Sequence, residues 1–168
     1  MSQDDRPRDR LGRYTNVDNN IALMNDQLSK SGKEQKKLNN PFNPEDYSTK
    51  GEELYTMAQQ ADYVHNHEGA DLHTIESGNN KGFVAYTDKP ERIIIENLGS
   101  TGGNLGRQLL GHVADQALQS NKGLYWMSTK SSDSYYSHIG LDDYRIDKSN
   151  SYWVKSHQVA DFKKRLKL

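Results

Sequence analysis

Three consecutive isoleucines at 93–95, followed by a glycine-rich segment and a helical pattern, constrain the fold more than any other part of this chain. β-Branched residues in succession favour a buried, extended strand. The helical pattern consists of apolar residues that recur on one face: Leu105, Leu109, Val113 and Ala117. A stop follows at 121–123. The stretch therefore predicts a strand, a glycine turn and a helix that begins at or just after Asn104.

The glycine turn is a possible anion site. Gly99, Gly102 and Gly103 can adopt positive φ and leave no Cβ to obstruct a ligand. The N–H groups of the first helical turn have no intrahelical acceptor, and the helix dipole and Arg107 both favour an anion there. The alternative is a tight strand-to-helix connection that binds nothing. The spacing matches neither a Walker loop nor the dinucleotide fingerprint.

The segment after this helix adds a second pattern. Residues 124–128 predict a strand and residues 131–139 a short helix, with Ser132 or Asp133 as cap and Gly140 as stop. The run that ends this helix reads Tyr135-Tyr136-Ser137-His138-Ile139-Gly140-Leu141. It is similar to the Phe-Tyr-x-x-x-Gly-Phe end of the GCN5-related N-acetyltransferases, in which a glycine-rich loop and helix come before it. The chain resembles that family over about residues 70 to 160.

The resemblance implies both a fold and a co-substrate. The fold would be α+β, with a central, mostly antiparallel sheet that contains a splayed parallel strand pair and is flanked by helices. The co-substrate would be acetyl-CoA, with its pyrophosphate on the glycine loop. The residues that the resemblance places at this co-substrate are Asn97, Leu98, Thr101, Gly102, Gly103, Asn104, Leu105, Gly106, Arg107 and Thr129.

The loop departs from the family's pattern Arg/Gln-x-x-Gly-x-Gly/Ala at two positions. Thr101 replaces the long first residue, although Gly102 and Gly103 offer backbone donors. Asn104 replaces the middle glycine, and asparagine tolerates positive φ better than other non-glycine residues, so we expect Asn104 to hold the turn. Thr129 stands where many members carry asparagine. These changes concern the affinity for the co-substrate more than the fold.

Acetyl transfer to an amine requires a neutral amine, a polarised carbonyl and a proton for the departing thiolate. The resemblance assigns that proton to Tyr136, for which core packing is the alternative. It also implies that a backbone N–H of Asn97 or Leu98 faces the thioester carbonyl. As general base we rank Glu96 first, ahead of Glu76, His112 and His138. Strand alternation lets Glu96 face either the cleft or the solvent.

The chain is predicted to have two parts. Residues 1–47 are polar and interrupted by prolines, which predicts a flexible N-terminal arm; the alternative is a segment that orders when it docks on a partner or on its own domain. Residues 48–168 are predicted to form the acetyltransferase-like domain. Its first helix covers 48–65, capped by Ser48 or Thr49. Further strands are predicted at 71–76, 82–87, 91–98, 144–147 and 151–154, and a basic helix at 158–166.

Composition excludes several kinds of chemistry. The chain has no cysteine, so disulfides, cysteine zinc sites and thiol catalysis are excluded. His65, His67, Glu68 and His73 have metal-binding side chains, but they straddle a helix end, a loop and a strand, and we predict no metal site. No apolar run reaches the length of a membrane span and no signal-peptide pattern follows the first residue, so we expect a cytoplasmic protein without membrane contact.

Two functions remain open at this stage. The first is an acetyl-CoA-dependent N-acetyltransferase, monomeric or homodimeric. Its acceptor would be a small amine, a protein amine or an aminoacyl-tRNA, the last being the substrate of acetyltransferase toxins. The net charge of −1 argues against strong nucleic-acid binding, so nucleic acid is expected only as a tRNA acceptor. The second function is a non-catalytic module of the same fold that uses the N-terminal arm as its contact.

Overall fold

The computed structural model describes residues 42–168. Residues 1–41, and with them most of the predicted arm, lie outside the described residues. In chain order the elements are a 3-10 helix (Pro44–Lys50), α1 (Glu52–His67), β1 (Asp71–Ser77), β2 (Asn80–Asp88), β3 (Arg92–Ser100), α2 (Leu105–Ser120), β4 (Gly123–Met127), α3 (Asp133–His138), a second 3-10 helix (Asp142–Tyr144), β5 (Ser151–Val154), a third 3-10 helix (Ser156–Gln158) and α4 (Val159–Arg165).

The five strands form one mixed sheet in the order β1-β2-β3-β4-β5. Neighbouring strands are antiparallel except for β3 and β4, which are parallel because α2 carries the chain back between them. The predicted fold class is therefore confirmed: an α+β fold with a mostly antiparallel sheet, one parallel pair and flanking helices, an arrangement compatible with the acetyltransferase fold.

A β-bulge lies in the middle of β3. Asn97 pairs with Ala85 and Ile95 pairs with Tyr86, so Glu96 is an extra residue without an opposite partner on β2. On its other side, β3 pairs with β4 only as far as Ile95, opposite Trp126. The rest of β3 continues past the end of this ladder, and the two parallel strands separate there.

Two apolar cores cover the two faces of the sheet. The larger lies under α2, α3 and α4, and includes the isoleucine side chains Ile93 and Ile95. The smaller lies under α1 and includes Phe83 and Ala85 of β2. Gly99 stands on the α1 face with no side chain of its own, because a Cβ there would lie 2.5 Å from Cδ1 of Leu54. This glycine therefore allows close packing. The expectation that it supplies a positive φ is wrong.

The first helix begins later than predicted. Ser48 and Thr49 do not cap it but lie inside the 3-10 helix, and Gly51, with φ of 120°, stands at the N-cap of α1. Tyr47 explains the difference, since its buried ring packs edge-on against Phe83 with centroids 4.9 Å apart. The chain must turn between this contact and α1. Residues 42–47, which the sequence analysis assigned to the arm, therefore pack against the domain, with Phe42 and Tyr47 in the smaller core.

The predicted strand at 144–147 is wrong. Residues 142–144 form a 3-10 helix, and Arg145 makes an isolated bridge to Tyr152. Asp147 has a left-handed φ of 55°, which is incompatible with an extended strand. The side chain of Arg145 also turns inward, where it bonds to Asp133 at 2.8 Å, and this contact replaces a regular ladder.

Candidate active site

A cleft of about 860 Å³ opens where β3 and β4 separate. α1 forms one wall, and the β4–α3 connection with the start of α3 forms the other. The residues that line the cleft are Glu52, Glu53, Thr56, Met57, Gln60, Ile95, Glu96, Asn97, Leu98, Trp126, Met127, Thr129, Lys130, Ser131, Ser132 and Tyr136. The fold thus brings together five of the residues predicted from the sequence: Glu96, Asn97, Leu98, Thr129 and Tyr136.

Tyr136 contributes a phenol to this cleft. Its side chain is only 6% exposed and packs against the rings of Trp126 and Tyr152 at centroid distances of 5.6 and 5.5 Å. Within residues 42–168 its hydroxyl has no hydrogen-bond partner. Burial, with a smaller contribution from Tyr135, raises the pKa of Tyr136 well above its ordinary value. The phenol is therefore neutral and has a proton to donate.

Trp126 adds a second polar group without a partner. Its indole is 1% exposed, and Nε1 makes no hydrogen bond within the described part of the chain. The ring stacks on Tyr152 with centroids 4.9 Å apart, which fixes its orientation at the wall of the cleft. Buried donors are nearly always paired in folded proteins, so this unpaired indole N–H is an exception at the wall of the cleft.

Glu96 lines the cleft. Strand alternation alone did not decide whether its side chain faces the cleft or the solvent. The bulge places Glu96 and Asn97 on the same face of the sheet, because Glu96 bonds to Thr87 and Asn97 pairs with Ala85, and these two residues of β2 share a face. The carboxylate accepts a 2.7 Å hydrogen bond from Oγ1 of Thr87. A carboxylate held in this way can accept a proton through a water molecule.

Two side-chain amides, those of Asn97 and Gln60, complete the inner part of the cleft. They are 7% and 5% exposed, and neither has a hydrogen-bond partner among residues 42–168. Asn97 was predicted for its backbone N–H, and the sequence analysis missed Gln60 altogether. The available signal was its position on the apolar face of the predicted helix, three residues after Met57 and four before Val64.

The outer part of the cleft is bridged from α1 to the β4–α3 connection. The carboxylate of Glu53 accepts hydrogen bonds from Oγ of Ser131 at 2.5 and 2.6 Å and from Oγ1 of Thr129 at 3.0 Å. Oγ1 of Thr129 also bonds to Ser132 at 2.8 Å, which helps to start α3. The hydroxyl predicted to meet the co-substrate therefore has partners at the mouth of the cleft.

The glycine loop lies outside the cleft. Gly102 and Gly103 have positive φ, 145° and 70°, as predicted. Asn104 does not, since its φ is −98°; the expectation that it holds the turn is wrong because the two glycines already complete it. Oγ1 of Thr101 accepts a 2.9 Å hydrogen bond from the N–H of Lys81 and donates to Asn80 at 3.2 Å.

Side chains stand beside this loop. The amide of Asn80 is 3.1 Å from where a Cβ of Gly102 would be, and Oη of Tyr135 is 2.5 Å from the corresponding point at Gly106. Leu105 and Gly106, at the start of α2, are both buried. Arg107 lines a second cavity of about 250 Å³, which is also lined by His138, Ile139, Gly140, Arg165 and Lys167.

Asp133 anchors the start of α3 and thereby positions Tyr136. Its Oδ1 accepts hydrogen bonds from Oγ of Ser128 at 2.7 Å, from Nη1 of Arg145 at 2.8 Å and from Oη of Tyr152 at 2.8 Å. The bond from Arg145, followed by those from Ser128 and Tyr152, lowers the pKa of Asp133 to about 2. The sequence indicated this residue only as a cap.

The histidines have structural partners. Nδ1 of His65 lies 2.7 Å from the carbonyl oxygen of Ala70, and His73 stacks on His112 with ring centroids 3.6 Å apart. Among residues 42–168 no group of three or more side chains could hold a metal ion. In the same range no helix has both the length and the apolar character that crossing a membrane would require.

We compared the chain with protein-family models, curated proteins and solved structures, and none of them matches it.

Proposed function

We propose that this chain is an acetyl-CoA-dependent N-acetyltransferase, related to the GCN5-related family, that transfers the acetyl group directly to a primary amine. The observation that carries the proposal is the unpaired, neutral phenol of Tyr136 in a cleft formed where the parallel strands β3 and β4 separate. The bulge at Glu96 lies at the same point of the sheet.

The backbone after the bulge supports a role in polarising the thioester. Beyond Ile95, β3 has no ladder to β4, so N–H groups of Asn97 or Leu98 that point to that side are available to a carbonyl oxygen. Such donors stabilise the negative charge that develops on this oxygen as the amine attacks. The bulge increases the local twist of β3 and helps to keep the two strands apart.

The side chains supply the proton transfers. The amine nitrogen bonds to the carbonyl carbon, the carbon–sulfur bond breaks, and the sulfur takes the phenolic proton of Tyr136, which solvent later restores. The proton that the amine loses passes through water to Glu96. Both groups line the cleft.

The glycine loop and Arg107 would hold the phosphates of the co-substrate. Gly102 and Gly103 have the positive φ values that turn backbone amides outward, and Arg107 has no ion-pair partner among residues 42–168. Tyr135 and Asn80 stand beside the loop, so they must either contact the phosphates or move aside.

The same two side chains favour a second candidate, a non-catalytic module of this fold. In that case Asn80, Thr101 and Tyr135 would close the mouth of the loop permanently, and the cleft would hold a ligand or partner without chemistry. Under this alternative, acetyl-CoA would have no effect on stability.

Thermal unfolding with and without acetyl-CoA distinguishes the two candidates. A ligand at about 100 times its dissociation constant adds about 2.7 kcal/mol of stability, which raises the melting temperature by several degrees. The enzyme also predicts release of free thiol when amines, peptides and charged tRNAs are screened as acceptors. An unchanged melting temperature at millimolar acetyl-CoA would favour the module and contradict the enzyme.

A further inference from the structure

One face of α1 presents an ordered series of side chains to the cleft. Glu52 and Glu53 lie in its first turn, Thr56 and Met57 one turn later, and Gln60 one turn after that. These positions share a face because residues three and four apart are neighbours on a helix. With a rise of 1.5 Å per residue, the carboxylate end and the amide end of this series are roughly 10 Å apart.

The inner end of the series is polar but unpaired. The amides of Gln60 and Asn97 are both more than nine-tenths buried and have no hydrogen-bond partner in the described part of the chain. The protein leaves both amides without a partner, so a ligand that supplies N–H donors can bond to both amide oxygens. An amine nitrogen is such a donor, and Glu96 lies next to Asn97 in the chain.

The outer end of the series is negatively charged. Glu52 is exposed and has no partner among residues 42–168, while Glu53 is held by hydroxyl groups that leave its charge uncompensated. Together with Glu96, the lining contains three carboxylates against one ammonium, that of Lys130. This excess of negative charge disfavours a polyanionic acceptor such as tRNA and favours a cation.

Apolar surface connects the two ends. Met57 of α1 lies between them in the lining, and its side chain offers no partner to a polar group in the middle of a ligand. We infer that the acceptor is a small aliphatic polyamine, which places one nitrogen between Gln60 and Asn97, lays methylene groups along Met57, and sets a second ammonium on Glu52 and Glu53. The inference rests on the proposed function and names its substrate class.

The substrate experiment compares α,ω-diaminooctane with n-octylamine on the purified full chain at saturating acetyl-CoA, with free-thiol release as readout. The two amines have the same eight-carbon chain and differ in the second amino group, so kcat/KM should be higher for the diamine by about tenfold or more. Diaminopropane, which is too short to reach both ends, should lose this advantage. Equal kcat/KM for the diamine and the monoamine would overturn the inference.

The protein experiment combines Glu52→Gln with Glu53→Gln. Because these carboxylates meet the distal charge and not the reacting atoms, KM for the diamine should rise about tenfold or more with little change in kcat, and KM for octylamine should change much less. Glu91→Gln is the matched control, since Glu91 is exposed and outside the cleft. If the double variant raised KM equally for both amines, Glu52 and Glu53 would not bind the second ammonium group, and the inference would be contradicted.

A third variant tests the inner end. Gln60→Leu should lower kcat/KM for both amines, because it removes an acceptor for the reacting nitrogen, while acetyl-CoA still raises its melting temperature. Unchanged kinetics for this variant would contradict the placement of the amine.

The failure of the inference can be told from that of the proposed function. Acetyl transfer to peptides or charged tRNA alone would overturn only the inference that the acceptor is a polyamine. If acetyl-CoA did not change the melting temperature, both this inference and the proposed acetyltransferase function would be overturned.

Discussion

Ile95 of β3 lies opposite Trp126 of β4 in the last pair of their parallel ladder. Beyond this pair β3 carries the bulge residue Glu96 and then Asn97, while Met127 of β4 pairs only with Ser151 of β5. The cleft, the unpaired Nε1 of Trp126 and the unpaired phenol of Tyr136 all occur at this point. The separation of two strands is thus the structural cause of the site.

Replacement of Tyr136 by phenylalanine tests the proton donor. We expect kcat to fall about 10²-fold or more, because the departing thiolate loses its acid, while acetyl-CoA still raises the melting temperature. Stability should change by less than about 0.5 kcal/mol, since the hydroxyl has no partner to lose. The matched control is Tyr125→Phe, which removes a hydroxyl outside the cleft. Equal rates for the Tyr136 variant and the wild type would remove this residue from the chemistry.

Replacement of Asp133 by asparagine tests the anchor of α3. Loss of the charge-assisted hydrogen bond to Arg145 should cost about 1.5–3 kcal/mol in urea denaturation. The pKa of Asp133 is about 2 in the folded protein against 3.8 without its partners, so its contribution is complete above pH 3.8 and is lost as the pH falls towards 2.

The control for this prediction is Asp143→Asn. Asp143 forms an exposed ion pair with Arg165 at 2.7 Å, which should contribute no more than about 1 kcal/mol. If both asparagine variants lost the same small amount of stability, the hydrogen bonds to Asp133 would not hold α3 in place.

His112 predicts a dependence of stability on pH in a separate range. Burial, followed by the neighbouring His73, lowers the pKa of His112 to about 4 from an ordinary value of 6.5. Between these values the unfolded chain binds more protons, so stability falls as the pH drops from 6.5 and levels off below 4. The ring is partly exposed, so we expect a loss of about 1–2 kcal/mol.

Thermal melts from pH 7 to pH 4 measure this effect. His112→Gln should flatten the profile, although it also removes the 3.1 Å contact between Nε2 and the hydroxyl of Tyr86. His157→Gln, at an exposed position, should leave the profile as in the wild type. If the melting temperature of the His112 variant depended on pH as in the wild type, a group other than His112 would be responsible for the effect.

Gly99→Ala tests the close approach of α1 to the sheet. The added methyl group would lie 2.5 Å from Cδ1 of Leu54 and 2.7 Å from Cζ of Phe83, so we expect a loss of about 1–3 kcal/mol in urea denaturation. Combining it with Leu54→Ala removes the nearest atom, and the double variant should be more stable than the sum of the two changes indicates. If the two losses of unfolding free energy were strictly additive, the clash with Leu54 would not be the cause of the destabilisation.

The sequence by itself determined the elements that have a strong local period. The isoleucines at 93–95, the apolar face from Leu105 to Ala117 and the two glycines at 102 and 103 each specify their conformation through neighbouring residues, and the structure confirms all three. The fold class was predicted from the resemblance of the loop, the helix and the Tyr135–Leu141 run to one family, and the long helix between β3 and β4 agrees with their parallel pairing.

The tertiary structure alone decided what surrounds the site. The hydroxyl of Thr101 is paired across 20 residues with Lys81, and Glu53 across 78 residues with Ser131; no local pattern carries such contacts. The bulge at Glu96 depends on the register of β2, and Gln60 is exceptional only because the cleft leaves its amide without a partner. Hydrogen bonds and voids between distant segments exist only after the chain has folded, so their residues could not be identified from periodicity.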